Sequence, residues 1–301
     1  MTDAIRTSLE VAAALRDRRP VVALESTVLA HGLPRPRNLE VGRALEAEVR
    51  SGGAVPATVG VIGGVPIVGL SDAEVERMST ADGVLKLSTR DIPIPVARRS
   101  DGATTVAATM YLAHRAGVEL FATGGIGGVH RGEARDVSAD ITELGRIPMI
   151  VVCAGAKSVL DLPATREALE TAGVLIVGWK TDELPAFYAR ESGLGVDARV
   201  EDAEEMAALW RAHRATGIPG AILLCVPPPE SHALPAAEIE TTIRAALDGA
   251  ERAGIRGKEV TPFLLSAMAE RTAGRSLETN VALLHNNVRV GTAVAAALSR
   301  G

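Results

Sequence analysis

Aromatic side chains are almost missing from this chain of 301 residues: two tryptophans, two tyrosines and three phenylalanines, 2% in all. Proteins that hold single-stranded nucleic acid by stacking bases on aromatic platforms need more than this. A net charge of −5 provides no basic footprint for phosphate backbones either. Nucleic acid is excluded as a partner on both counts, and a small anionic substrate has to be met by local donors. Cysteine is as scarce. Cys153 and Cys225 each sit inside an apolar run, which suits buried free thiols and a reducing, cytoplasmic compartment. The N-terminus carries no apolar core of signal-peptide length. Residues 51–71 lack charge for 21 positions, the length of a membrane span. Pro56, Pro66 and four glycines (Gly60, Gly63, Gly64, Gly69) interrupt that stretch. It reads instead as two short strands around Gly63-Gly64, so no membrane contact is expected.

Hydrophobic residues are 47% of the chain and charged ones 23%, the balance of a folded protein with a substantial core. Apolar runs at 21–24, 118–122 and 148–153 read as buried strands, 174–178 and 221–226 as further strands, and 84–88 as a short strand with Lys86 in its middle. Between them lie segments of helical period. A helix is expected over 8–18, and Asn38 is expected to cap another that runs to about residue 50. Ser71-Asp72-Ala73-Glu74 is a capping box that starts a third. Further helices are expected from Gly102 to Gly117, over 159–172 with Lys157 at the entry, over 184–191, and over 202–216. The last sixty-odd residues read as helical, with a break near Arg256-Gly257-Lys258 and a long final helix from Ser276. Alternating strands and helices mean an α/β fold, a largely parallel sheet with helices on both faces and a helical C-terminal region. With no linker or repeat in view, residues 1–301 are expected to form one catalytic domain.

In such sheets ligands bind beyond the carboxyl ends of the strands. Glu25 follows the 21–24 strand, a glycine-dense loop (123–132) follows the 118–122 strand, and Lys157 follows the 148–153 strand. Lys86 lies near another strand end. Each has a plain reading beside a chemical one. Glu25 is a salt-bridged or capping carboxylate, or a general acid among apolar neighbours. Lys157 is a solvated lysine, or an amine freed for Schiff-base chemistry by a helix N-terminus and desolvation. Lys86 is the outward residue of an edge strand, or a cation for a phosphate. The glycine loop departs from the dinucleotide fingerprint and carries no Walker lysine, so it is a tight structural loop or an anion cradle. Asp136 and Asp140 suit the first turn of a helix or a hard cation such as Mg²⁺ or Mn²⁺. His130 is a ligand, a base or a loop histidine. His285, Asn286 and Asn287 are most simply a polar helix face.

Seven segments carry a resemblance. They are VVALEST from Val21, GAVPAT from Gly53, GATTVA from Gly102, FATGGIGGVHRG from Phe121, DVSAD from Asp136, VVCAGAKS from Val151 and GKEVTPFLL from Gly257. Through them the chain resembles the pseudouridine-5′-phosphate glycosidase family, also known as pseudouridylate synthases or indigoidine-synthase-A-like proteins. The loop between Gly132 and Asp136 looks shorter than in some members. The resemblance implies a three-layer α/β/α homotrimer that reversibly splits pseudouridine 5′-phosphate into uracil and ribose 5-phosphate. It makes Lys157 the nucleophile that forms an imine with ring-opened ribose, and Glu25 the proton donor. Asp136 would hold one Mn²⁺ per subunit, largely through water. Lys86, Val106, Ser138, Ala139 and Asp140 would contact substrate, with His130 and Asn280 near them. Two other readings share part of this set: another Schiff-base aldolase or lyase acting on a sugar phosphate, and a non-enzymatic nucleotide-binding protein.

Overall fold

The computed structural model describes residues 5–131, 136–255 and 260–300. Gly132, the loop after it, and the break near Arg256-Gly257-Lys258 lie outside the described residues. Eleven strands join one sheet: β1 (Arg6–Thr7), β2 (Val21–Leu24), β3 (Val55–Ile62), β4 (Val65–Val68), β5 (Leu85–Leu87), β6 (Gly102–Thr104), β7 (Leu120–Ala122), β8 (Ile150–Cys153), β9 (Leu175–Trp179), β10 (Ala198–Val200) and β11 (Ile222–Cys225). The main path runs β1-β4-β3-β2-β7-β8-β11-β9-β10, with β6 paired to β3 and β5 to β6. Among the described strand pairs of this sheet, only the β3–β4 hairpin and the β3–β6 pair are antiparallel. The central strands β2, β7, β8 and β11 are buried at every residue. This is why they read as unbroken apolar runs and not as alternating ones.

The principal helices are α1 (Leu9–Arg16), α2 (Arg37–Ser51), α3 (Asp72–Thr80), α4 (Pro93–Arg98), α5 (Val106–Arg115), α6 (Ala139–Leu144), α7 (Leu162–Thr171), α8 (Ala203–Thr216), α9 (Ala236–Arg252), α10 (Val260–Arg271) and α11 (Arg275–Ser299). The layers form a mixed, largely parallel α/β/α sandwich. In one layer α11 lies over β2, β7 and β8 and touches α2 and α8. In the other α5 lies over β2 and β3 and touches α6, which reaches α7. Gly291 lets α11 come down onto Leu120, Ala122 and Val152 of the sheet. Among the described residues no helix is long and apolar enough to cross a membrane.

Several local expectations hold. The 51–71 stretch is the β3–β4 hairpin. Ser8 accepts the Val11 N–H at 3.2 Å to cap α1. Ser71 and Glu74 close the capping box of α3. Others are corrected. Asn38 caps nothing: it is buried inside α2 and its amide donates to the carbonyls of Leu29 and Ser79, tying α2 to the segments packed on it. Residues 102–104 are the strand β6, and the helix starts only at Val106. A side chain at Gly102 would collide with Leu87 across the β5–β6 pair. Residues 184–191 form no helix: Phe187 takes a positive φ of 63°, which a helix does not tolerate. Lys157 does not open a helix either. The following helix, α7, begins at Leu162 and is capped by Asp161, so no helix N-terminus lies behind the Lys157 amine.

Candidate active site

The parallel pairing of β2, β7 and β8 brings three strand ends side by side. Glu25 leaves β2, the glycine loop leaves β7, and the segment to Lys157 leaves β8. The last two are laced together past the strands: Ala154 N–H donates to Gly124 O (2.9 Å), Ile126 N–H to Gly155 O (3.1 Å) and Lys157 N–H to Ile126 O (3.1 Å). Lys157 is thus placed by sheet-like pairing that the helix-entry reading overlooks.

The glycines of this loop make room. A side chain at Gly125 would meet the Phe187 ring at 2.6 Å and Gly155 O at 2.9 Å. Five loop N–H groups, of Thr123, Ile126, Gly127, Val129 and His130, already have protein acceptors. Most of the loop is therefore spent on packing and not on cradling an anion. Phe187 itself is held by its N–H on Ala154 O (3.0 Å) and stacks edge-on against Tyr188, ring centroids 4.8 Å apart. Burial pushes the Tyr188 phenol far above its ordinary value, only partly offset by a hydrogen bond with Ser276. Tyr188 is therefore a neutral wall behind Phe187. Cys153 and Cys225 face each other in register on β8 and β11, fully buried. Their mutual hydrogen bond, then burial, raises the Cys225 thiol well above its usual range. Neither thiol is a candidate nucleophile.

Glu25 is 8% exposed. Its two carboxylate oxygens accept the hydroxyls of Thr27 and Thr123, which leaves each oxygen further acceptor capacity. Asp140, 5% exposed, bridges the two layers of the site. One oxygen accepts Ala107 N–H (2.9 Å) from the first turn of α5, and the other accepts Gly127 N–H (2.7 Å) from the glycine loop. Ser138 caps α6 by accepting the Asp140 N–H at 3.2 Å. Asp136 is more open, its side chain 55% exposed, with His130 Nδ1 3.9 Å away.

These ends surround a cavity of about 490 Å³. All ten residues singled out in the sequence line it: Glu25, Lys86, Val106, His130, Asp136, Ser138, Ala139, Asp140, Lys157 and Asn280. Lys86, on the edge strand β5, belongs to this lining. Sequence reasoning missed Ser88 and Thr105, which also line it; their hydroxyl oxygens are buried without a protein partner. The two-residue step from Lys86 to Ser88 puts both on one face of an extended segment and was the available signal. Thr105 has the residue type that precedes a helix, here α5, but it makes no side-chain cap there. Asn287, taken with the polar face of the last helix, is fully buried.

The sequence matches the family described as indigoidine synthase A like protein over residues 10–297. A pseudouridine-5′-phosphate glycosidase of Chloroflexus aurantiacus is 58% identical, covering 98% of this chain and 99% of the relative. One of Myxococcus xanthus is 50% identical over 98% of this chain and 99% of its own. The crystal structure of a prealnumycin C-glycosynthase in complex with ribulose 5-phosphate superposes with a TM-score of 0.91 at 41% identity, covering 98% of this chain and 97% of that one. An indigoidine synthase A-like protein from Thermotoga maritima gives 0.90 at 39% identity, with the same coverage. Agreement in sequence, over almost the whole length, and in fold leads to one conclusion: the chain belongs to the indigoidine synthase A-like family.

Proposed function

We propose that the protein is a pseudouridine-5′-phosphate glycosidase that reversibly cleaves the C–C bond between uracil and ribose 5-phosphate. The observation that carries the reading is the convergence of all ten residues, from sequence positions as far apart as Glu25 and Asn280, on one cavity. Relatives named for this activity are 50–58% identical over nearly the whole chain. The related C-glycosynthase holds a sugar phosphate, which supports the substrate class.

In this reading Lys157 Nζ attacks C1′. The C1′–O4′ bond breaks and O4′ takes a proton, so the sugar opens and nitrogen sits on C1′. The nitrogen lone pair then expels the uracil: the C1′–C5 pair goes to C5, which takes a proton, and an imine remains. Water releases ribose 5-phosphate and the free amine. A carbon leaving group offers no heteroatom lone pair to protonate, so this electron sink replaces the paired carboxylates of ordinary glycosidases. Glu25 is the proton donor, held by its two threonines. Lys86, Ser88, Thr105 and the Val106 end of α5 form the phosphate end, where unpartnered hydroxyls and a helix N-terminus suit an anion.

Mn²⁺ fits this site only as an ion held mainly through water. Asp140 is engaged by two backbone N–H groups, leaving Asp136 as the ligand. Among the described residues no three His, Cys, Asp or Glu side chains converge. Bound there, the metal would supply counter-charge to substrate oxygens. Assembly as a homotrimer and a cytoplasmic setting complete the proposal. The resemblance supports the first and two free thiols the second.

Incubation with pseudouridine 5′-phosphate and Mn²⁺, with and without borohydride, tests the reading. Free uracil is expected, together with a ribose-phosphate adduct on Lys157 that is absent from Lys157→Ala. No uracil with any divalent metal rejects the glycosidase; sugar phosphates would then be tried for aldolase chemistry.

A further inference from the structure

Asn287 sits on the face of α11 that carries Asn280, Leu284 and Gly291, at intervals that keep all four toward the sheet. It is fully buried. An amide is costly in such a place unless it is used. Its Nδ2 donates to Thr123 O at 2.8 Å and to Gly124 O at 3.3 Å, while Oδ1 has no protein partner. Two carbonyl acceptors fix which end of the amide faces the loop.

Thr123 is the residue through which this bond reaches the chemistry. Its N–H is anchored on Val152 O of β8 (2.9 Å), its carbonyl on Asn287, and its hydroxyl donates to Glu25 Oε1. Gly124 O, the second acceptor, also takes the Ala154 N–H that begins the lacing toward Lys157 (2.9 Å). One amide on α11 thus holds the peptide that orients the proton donor and the loop paired with the nucleophile's segment.

We infer that Asn287 is a positioning residue for Glu25, acting through the Thr123 hydroxyl. Resting on the glycosidase reading, this adds a residue that touches no substrate. Thr123 and Thr27 divide the two carboxylate oxygens of Glu25 between them, so the carboxyl plane follows the threonines. Without Asn287 the Thr123 peptide keeps only its N–H anchor, and its hydroxyl loses its fixed direction. The effect falls on proton transfer, because the phosphate end (Lys86, Ser88, Thr105) is built on other strands.

The test is a set of variants assayed for uracil release: Asn287→Ala, Thr123→Val, Thr123→Ser and the double variant Asn287→Ala/Thr123→Val. An acid–base step is worth roughly 10²–10⁴-fold, and misplacing the acid forfeits part of it, so a kcat loss of about 10–100-fold is expected for Asn287→Ala and Thr123→Val. KM for pseudouridine 5′-phosphate should stay within about threefold, since ground-state binding is untouched. Thr123→Ser, which keeps the hydroxyl, should retain most of the activity. The double variant should lose little beyond the worse single one, because Asn287 acts on Glu25 through the hydroxyl that Thr123→Val removes. Multiplying losses, an unchanged kcat in Asn287→Ala, or a rise in KM alone would each overturn the role. Should Asn287→Ala not fold, Asn287→Thr, of nearly equal volume, carries the same comparison. If the unaltered protein releases no uracil, the glycosidase reading falls. The contact is then read in crystals of the Asn287 variant, where a Thr123 hydroxyl still on Glu25 rejects the positioning role and a displaced one supports it.

Discussion

Replacing Asp140 by alanine removes a buried carboxylate that joins two parts of the site. The acceptor for Ala107 N–H and the acceptor for Gly127 N–H disappear together. Hydrogen bonds to a charged group contribute about 1.5–3 kcal/mol each. The two bonds together therefore set an expected loss of about 3–6 kcal/mol. For a chain of 301 residues, the unfolding entropy is about 0.6 kcal/mol per degree, so the melting temperature should fall by about 5–10 °C. Asp140→Asn keeps one acceptor oxygen and turns an N–H₂ toward the other donor, so it should lose about half as much. The order wild type, Asn, Ala is the signature of the bridge. Uracil release should fall in the same order, since the bridge sets the Val106 end of α5 against the glycine loop. Calorimetry and urea unfolding check the first part, and steady-state kinetics the second. An alanine variant melting within about 1 °C of wild type, a loss of roughly 0.6 kcal/mol, or no difference between Asn and Ala would refute the reasoning.

Three further outcomes follow from named contacts. Gly155 has φ +84°, and a side chain there would lie 2.1 Å from Pro185 O; Gly155→Ala should cost more than the roughly 1–2 kcal/mol of left-handed backbone alone and lower borohydride trapping on Lys157, which urea melts and mass spectrometry would show. Lys86→Ala should raise KM for pseudouridine 5′-phosphate by about 10–100-fold, the worth of one charge-assisted bond, and weaken competition by inorganic phosphate, with kcat little changed; an unaltered KM would remove Lys86 from the phosphate end. Burial raises the Glu46 carboxyl above its ordinary 4.5, against a hydrogen bond from Thr58 that lowers it. The folded state thus holds that proton more tightly than the unfolded one, a contribution present below 4.5 and lost as pH rises through the folded value. Glu46→Gln should accordingly raise the melting temperature at pH 7, with the gain vanishing below 4.5; a gain that persists in acid would contradict this.

What the sequence determined by itself is what depends on local pattern and on strand ends. Buried parallel strands have no polar face, so β2, β7, β8 and β11 appear as apolar runs, and the residue leaving such a run stands at the ligand rim. Glu25 and Lys157 were legible for that reason. Ser71 and Glu74 were legible because a capping box closes within four residues. The tertiary structure decided whatever rests on partners far along the chain. Residues 184–191 have helical composition, but Phe187 is needed under Gly125 in a left-handed conformation, and packing overrides propensity. Lys157 is positioned by backbone pairing with a loop some thirty residues earlier, not by the helix that follows it. Asp140 looks like a first-turn acid until α5 and the glycine loop close on its two oxygens. Asn287 belongs, by spacing alone, with its polar neighbours on a solvated helix; only the descent of α11 onto the strand ends buries it and brings its amide to Thr123. Periodicity reports which way a side chain points from its own element, and it carries no information about which distant backbone group waits there.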